Sequence, residues 1–260
     1  MHKIVSSAAA LLVFAIVSLA YGEDSDLASL FKDKNLCGTI VIQSLDGAKT
    51  YTHNDERANT RFVPASTFKI PNTLIALEEG AIADEKEIIK WDGNDKGLPV
   101  WNKDQSIETA FPSSCIWFYQ ELAKRVGKDK YKSYLGKIKY GNEQAGPEVT
   151  TFWLEGDLRI SAVEQIAFLK KLYAKEYPFR SSSYELLREL MLVERTSAYT
   201  MRAKTGWAQR VTPQVGWFVG YVEAGDKVWV FATNIEIVKP EDSRLRQKVT
   251  IEAFKCKGII

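Results

Sequence analysis

A chain of 260 residues, 45% hydrophobic and 26% charged, has the proportions of a globular protein with ample core. Its net charge of +2 supplies no basic surface of the kind that nucleic acid or an anionic membrane selects, so no nucleic-acid partner is expected. There are three cysteines, no two of them close in sequence, which excludes a disulfide scaffold.

Residues 1–22 read as a targeting segment. Lys3 gives a short positive start, Ile4 to Val17 is almost wholly apolar, and Ala20 and Gly22 are small residues at the positions a signal peptidase reads. The apolar run is short for a spanning helix and no basic stop follows it. The expectation is cleavage near Gly22, no stable membrane anchor, and export to the periplasm. Residues 23–260 are then one domain.

Residues 26–32 predict a short helix. Gly38 to Gln43 and Lys49 to His53 predict a hairpin turning at Asp46-Gly47. From Ser66 a helix is expected to run to Gly80, with Ile70, Leu74 and Leu77 on one face. Cys115 to Val126 predicts a helix closed by Gly127, and Lys130 to Leu135 another closed by Gly136. Ser161 to Glu164 is a capping box heading a third, and Tyr184 to Glu194 predicts a fourth. The pattern then turns strand-like over Tyr199–Lys204, Val215–Glu223 and Lys227–Ile235, with a tight turn at Ala224-Gly225-Asp226. A last helix is expected from Asp242 to Phe254. The implied fold is α/β of the α+β type. Strands from both ends form one antiparallel sheet (about 23–62 and 196–260) against a mainly helical lobe (about 63–195), with a site at the seam.

The stretch Pro64-Ala-Ser-Thr-Phe-Lys-Ile-Pro71 holds Ser66 and, three residues on, Lys69. On a helix that spacing places the amine beside the hydroxyl, and a serine needs an adjacent base to become a nucleophile. A lysine serves only if its surroundings keep it uncharged or remodel it chemically. Pro71 lacks the N–H of a regular helix, so the first turn should be distorted. The pattern is weak alone, since Ser29 and Lys32 repeat it. Beyond the targeting segment the only histidine is His53, at a strand end, which leaves little room for a Ser-His-Asp triad or a zinc site.

Further short motifs follow in order: Ser114-Cys-Ile116, Tyr140-Gly-Asn142, Phe152-Trp-Leu-Glu155, Ile160-Ser161, Lys204-Thr-Gly206 and Leu245-Arg-Gln247. Taken singly they read as a helix cap, a turn, a core aromatic and a solvated strand lysine. In this order after Ser66-x-x-Lys69, the chain resembles the class D, oxacillinase-type serine β-lactamases over essentially its whole mature length. It departs from the family pattern at Ile116, where valine is usual.

The resemblance implies the serine β-lactamase and penicillin-binding transpeptidase fold and a small-molecule β-lactam substrate. Ser66 would be the nucleophile and Lys69 the base, as an N-carboxylated lysine. Trp153 would donate its indole N–H to that carbamate, and Ser114 would relay a proton to the leaving nitrogen. The N–H groups of Ser66 and Trp207 would bind the oxyanion. Thr205 and Arg246, with Arg244 as rival, would hold the substrate carboxylate, with Lys204 adding positive potential and Gly206 completing the motif. Trp101 would line the mouth, and Ile116, Leu154 and Phe118 or Trp117 would supply an apolar pocket for Lys69. No cofactor or metal is expected beyond carbon dioxide or bicarbonate for Lys69, in a monomer or homodimer. Penicillins and oxacillin-type drugs are the expected substrates. The loop Trp207 to Gln214 resembles that of carbapenem-hydrolysing members, which adds slow carbapenem hydrolysis. A β-lactam-binding sensor and a D-Ala-D-Ala peptidase-like protein are the alternatives. Among the thiols, Cys115 should be buried and inert, and Cys37 and Cys256 are candidates for a bridge.

Overall fold

The computed structural model describes residues 22–260, so the targeting segment, Gly22 apart, lies outside the described residues. Six strands form one antiparallel sheet: β1 (Gly38–Ser44), β2 (Thr50–His53), β3 (Leu192–Arg195), β4 (Tyr199–Ala208), β5 (Val215–Ala224) and β6 (Lys227–Glu236). Their spatial order is β2-β1-β6-β5-β4-β3. The N-terminal hairpin therefore joins the C-terminal strands through β1 and β6, with Ile40 opposite Thr233, as the terminal placement of the strands implied.

The helices are α1 (Ser25–Asp33), α2 (Asp55–Asn59), α3 (Lys69–Glu78), α4 (Ile107–Ala110), α5 (Ile116–Val126), α6 (Lys128–Ile138), α7 (Ala162–Tyr173), α8 (Ser181–Leu190) and α9 (Leu245–Cys256). Alternation along the strands sends successive side chains to opposite faces of the sheet. Ile40, Ile42, Phe218 and Phe231 pack under α1 and α9 with Leu27, Phe31, Val249 and Phe254. Val41, Trp217 and Val219 face a larger core with Leu74 of α3, Phe118 of α5 and Leu169 of α7. Among the described residues, no helix is long and apolar enough to cross a membrane.

Four expectations are corrected. The segment after Pro64 is two elements: Ala65–Phe68 is a 3-10 turn, and α3 begins at Lys69. Pro71 explains the break, because it has no N–H and its ring crowds the carbonyl four residues back. Helix α6 continues through Gly136 to Ile138 and stops where Lys139 turns left-handed, at φ +49°. Helix α8 ends at Leu190, short of Glu194: Ala203 N donates to Met191 O at 2.8 Å, which lays Leu192–Arg195 along the sheet edge as β3. Cys37 and Cys256 are exposed free thiols, not a bridge, and Cys115 is a buried one.

Candidate active site

The 3-10 turn holding Ser66 is tied down from two sides. Ala65, left-handed at φ +49°, donates its N–H to the carbonyl of Trp153 at 2.9 Å. On the other side β4 lies so close that a Cβ on Gly206 would sit 2.9 Å from Pro64 O and 3.1 Å from the Thr67 methyl. Only glycine permits that approach, and it brings Thr205, Gly206 and Trp207 into the same cleft as Ser66. As the second residue of its turn, Ser66 has an N–H without a partner inside that turn. Thr67 and Phe68 pack inward, with Thr67 Oγ1 donating to Pro64 O at 2.8 Å.

Lys69 is fully buried at the start of α3, and its Nζ donates to Ser66 Oγ at 3.0 Å. The amine also lies 4.9 Å from the centroid of the Tyr119 ring. Burial pushes its pKa down to about 7, against a small opposing effect from Cys115. A lysine with that pKa is substantially uncharged at neutral pH. The Cys115 thiol is pushed up to about 11, mainly by burial, so it is inert as expected.

Trp153 is also fully buried, stacked on Phe68 at 5.7 Å and edge-on to Phe152 at 5.0 Å. Its indole Nε1–H has no hydrogen-bond partner among the described residues. A buried Trp N–H ordinarily has one, so this orphan donor marks a place for an acceptor. The Tyr140-Gly-Asn142 motif builds the loop that carries Trp153. Tyr140 packs edge-on to Phe68 at 5.6 Å, and Asn142 Oδ1 accepts from Arg159 N at 2.9 Å while its amide donates to Asp157 O at 2.8 Å. Between them Gly141 sits at φ +57°, where an added Cβ would meet Arg159 O at 2.0 Å.

Ser114 is not the cap of α5. Cys115 holds the N-cap position, and Ser114 precedes it in a left-handed conformation, φ +54°. Such backbone outliers cost energy and cluster at functional sites. The turn aims Ser114 Oγ at Lys204, whose Nζ donates to it at 2.5 Å. Lys204, expected to be solvated if it had no role, is instead buried. Its pKa is driven far down, first by burial and then by the neighbouring cations Lys69 and Arg246.

A cleft of about 590 Å³ opens over these groups. Ser66, Ser114, Trp101, Ile116, Thr205, Gly206, Trp207 and Arg246 line it, joined by Gln209 and Arg210 from the Trp207 to Gln214 stretch and by Lys96 and Leu98, which sequence patterns did not single out. Arg246 Nε and Nη1 are buried and unpaired among the described residues, and burial lowers the guanidinium pKa to about 10. Arg244 is exposed in the turn before α9 and does not line the cleft. Lys69, Lys204, Trp153 and Leu154 lie buried behind the lining. Phe118 is likewise buried, whereas Trp117 is half-exposed and sends its indole N–H to Trp101 O at 2.8 Å. Tyr119, whose ring lies against the Lys69 amine, was missed because an aromatic inside a helical repeat reads as ordinary core.

Residues 37–255 match the family described as the penicillin binding protein transpeptidase domain. The chain is 38% identical to β-lactamase OXA-48 of Klebsiella pneumoniae over 99% of each chain. It is 41% identical to β-lactamase OXA-20 of Pseudomonas aeruginosa over 92% of each. Among solved structures, the class D β-lactamase FUS-1 (OXA-85) from Fusobacterium nucleatum subsp. polymorphum superposes with a TM-score of 0.89 at 36% identity, covering 92% of this chain and 100% of that one. The class D YbXI β-lactamase from Nostoc gives 0.88 at 42% identity, covering 90% and 99%. Similarity of this extent, over a fold and cleft built as described, makes the chain a member of the class D β-lactamases, an enzyme that hydrolyses β-lactams.

Proposed function

We propose that hydrolysis runs through an acyl-enzyme on Ser66 with Lys69 as its general base. The observation that carries this is the 3.0 Å contact between the Ser66 hydroxyl and a fully buried lysine amine whose charge is suppressed. In the first step Ser66 Oγ bonds to the β-lactam carbonyl carbon and its proton passes to Lys69. The Ser66 and Trp207 N–H groups face the oxygen that becomes negative. The ring C–N bond then breaks, and the proton taken up by Lys69 passes through Ser114 to that nitrogen, which leaves Lys69 a base again. Buried Lys204, whose Nζ donates to Ser114 Oγ at 2.5 Å, holds that hydroxyl in place for the transfer. In the second step Lys69 takes a proton from water as the water oxygen bonds to the ester carbonyl carbon, and it gives that proton to Ser66 Oγ as the ester bond breaks.

We propose further that Lys69 works as its carbamate. Carbon dioxide would add to the uncharged Nζ with loss of a proton, which leaves an anion with two acceptor oxygens in place of the single lone pair of the amine. The residues present fit it: the amine is neutral enough to react, and the unpaired Trp153 N–H lacks just such an acceptor. The same change would place an anion, which favours a charged Lys204, where the Lys69 amine now disfavours it.

Arg246 and Thr205 receive the substrate carboxylate. Arg246 lines the cleft with two guanidinium nitrogens unpaired among the described residues, which leaves its charge and donors available to a carboxylate. Penicillins and oxacillin-type drugs are the proposed substrates, with slow action on carbapenems, in a protein exported through residues 1–22. Sustained turnover of a chromogenic cephalosporin, with a mass adduct on Ser66 trapped early and lost later, tests the acyl-enzyme route. A single stoichiometric burst would favour the sensor reading.

A further inference from the structure

Ser114 sits in a strained backbone conformation, φ +54°, directly before α5, so something must hold its turn in place. The turn's own bonds are Ser114 N to Phe111 O at 3.2 Å and Cys115 N to Ala110 O at 2.9 Å. Ser113 Oγ also donates to Thr109 O at 2.6 Å, and a further contact comes from across the cleft mouth. Trp101 ends a short 3-10 turn, Pro99–Trp101, and donates its indole N–H to Ser113 O at 2.9 Å. Its own carbonyl accepts the indole N–H of Trp117 at 2.8 Å. Trp117 is on the first turn of α5, two residues past the N-cap Cys115. The chain Trp117–Trp101–Ser113 therefore closes a ring through two indole N–H groups, with Ser114 inside it.

We propose that Trp117 is a positioning residue for β-lactam hydrolysis. Through Trp101 it fixes the Ser113–Ser114 turn and so the distance from Ser114 Oγ to Lys204 Nζ. It is not among the residues lining the cleft and instead lines a separate groove with Lys90 and Gln120. A core aromatic would serve packing as well with phenylalanine. Only the N–H donor, aimed at a backbone carbonyl of the cleft wall, distinguishes tryptophan here. The inference rests on the reading of Ser114 as proton relay.

The test is kinetic. Trp117→Phe keeps the ring and removes the donor, and is made alone, with Trp101→Phe, and in a Ser114→Ala background. Single-turnover acylation is followed as the Ser66 mass adduct with a penicillin, and melting temperature is recorded for each variant. Misplacing a proton relay should lower the acylation rate of Trp117→Phe about tenfold or more. The Trp101→Phe/Trp117→Phe double variant should be no slower than the slower single, because one ring is broken once. In Ser114→Ala, Trp117→Phe should cost nothing further, since the group it positions is gone. An unchanged acylation rate in the wild-type background, or an equal loss in both backgrounds, overturns the proposal whatever happens to melting. Full activity in Ser114→Ala alone would instead overturn the relay on which it stands.

Discussion

Ala65 donates its backbone N–H to the carbonyl of Trp153 at 2.9 Å, so the turn presenting the nucleophile and the loop presenting the unpaired indole are one mechanical unit. The far end of that loop is fixed at Gly141, whose left-handed backbone lies against Arg159 O. Gly141→Ala forces both a strained φ and a clash, at a cost of about 1–3 kcal/mol for the backbone alone. Melting should fall accordingly, and turnover per folded molecule should fall as well because Trp153 moves with the loop. Thermal unfolding alongside active-site titration separates the two effects.

Trp153→Phe keeps the aromatic stack on Phe68 and removes the N–H. Once Ser66 is acylated its oxygen can no longer donate to the base on Lys69, so the indole is the donor that remains. Deacylation should therefore fail more severely than acylation, and a Ser66 adduct should persist in intact-mass spectra taken during turnover. An adduct as short-lived as in the wild type would show that the indole has no such role.

The pH dependence follows from burial. Lys69 is depressed to about 7, so its amine is protonated below that value and free above it. A protonated amine accepts no proton and does not react with carbon dioxide. Activity should fall as pH drops through this range and be partly restored by added bicarbonate. Rates with and without bicarbonate on the acid side test this.

Arg246→Ala removes two unpaired guanidinium donors from the cleft. Loss of a charge-assisted pair with the substrate carboxylate should raise KM about ten- to a hundredfold, with a smaller change in kcat. Arg244→Ala, outside the cleft, should leave both unchanged.

Arg210 of the loop after β4 pairs with Glu155 of the Trp153 loop at 2.9 Å. Trp207 Nε1, near the end of β4, donates to Gln214 Oε1 at the far end of that loop at 2.9 Å. Slow carbapenem hydrolysis is proposed from the resemblance of the Trp207 to Gln214 sequence to that of carbapenem-hydrolysing members. An unchanged carbapenem half-life over many hours with the enzyme would remove that part of the substrate range.

Much of this was legible in the sequence because its signals are local. Strand alternation located β1, β2 and β4 to β6 to within a few residues, and Ser161 with Glu164 announced the capping box of α7. Ser66-x-x-Lys69 gave the reacting pair because both residues lie on one short segment. What stayed hidden depends on distant partners. β3 exists because Met191 finds Ala203, and α2 because Asn54 takes a left-handed turn and caps it through Arg57 N. The charge state of Lys69 is set by burial that no spacing reveals. The strained backbone of Ser114 and the two indole bonds around it come from the folded chain alone.

The central claim is that Lys69 acts as a carbamate, and carbon NMR of the enzyme in isotopically labelled bicarbonate tests it most directly. At a pH well above 7 the account predicts one protein-bound carbamate resonance, lost when the pH is taken well below 7 and regained on return. Lys69→Ala should show none and should not turn over. A wild-type sample that hydrolyses penicillin in the same tube without that resonance would contradict it.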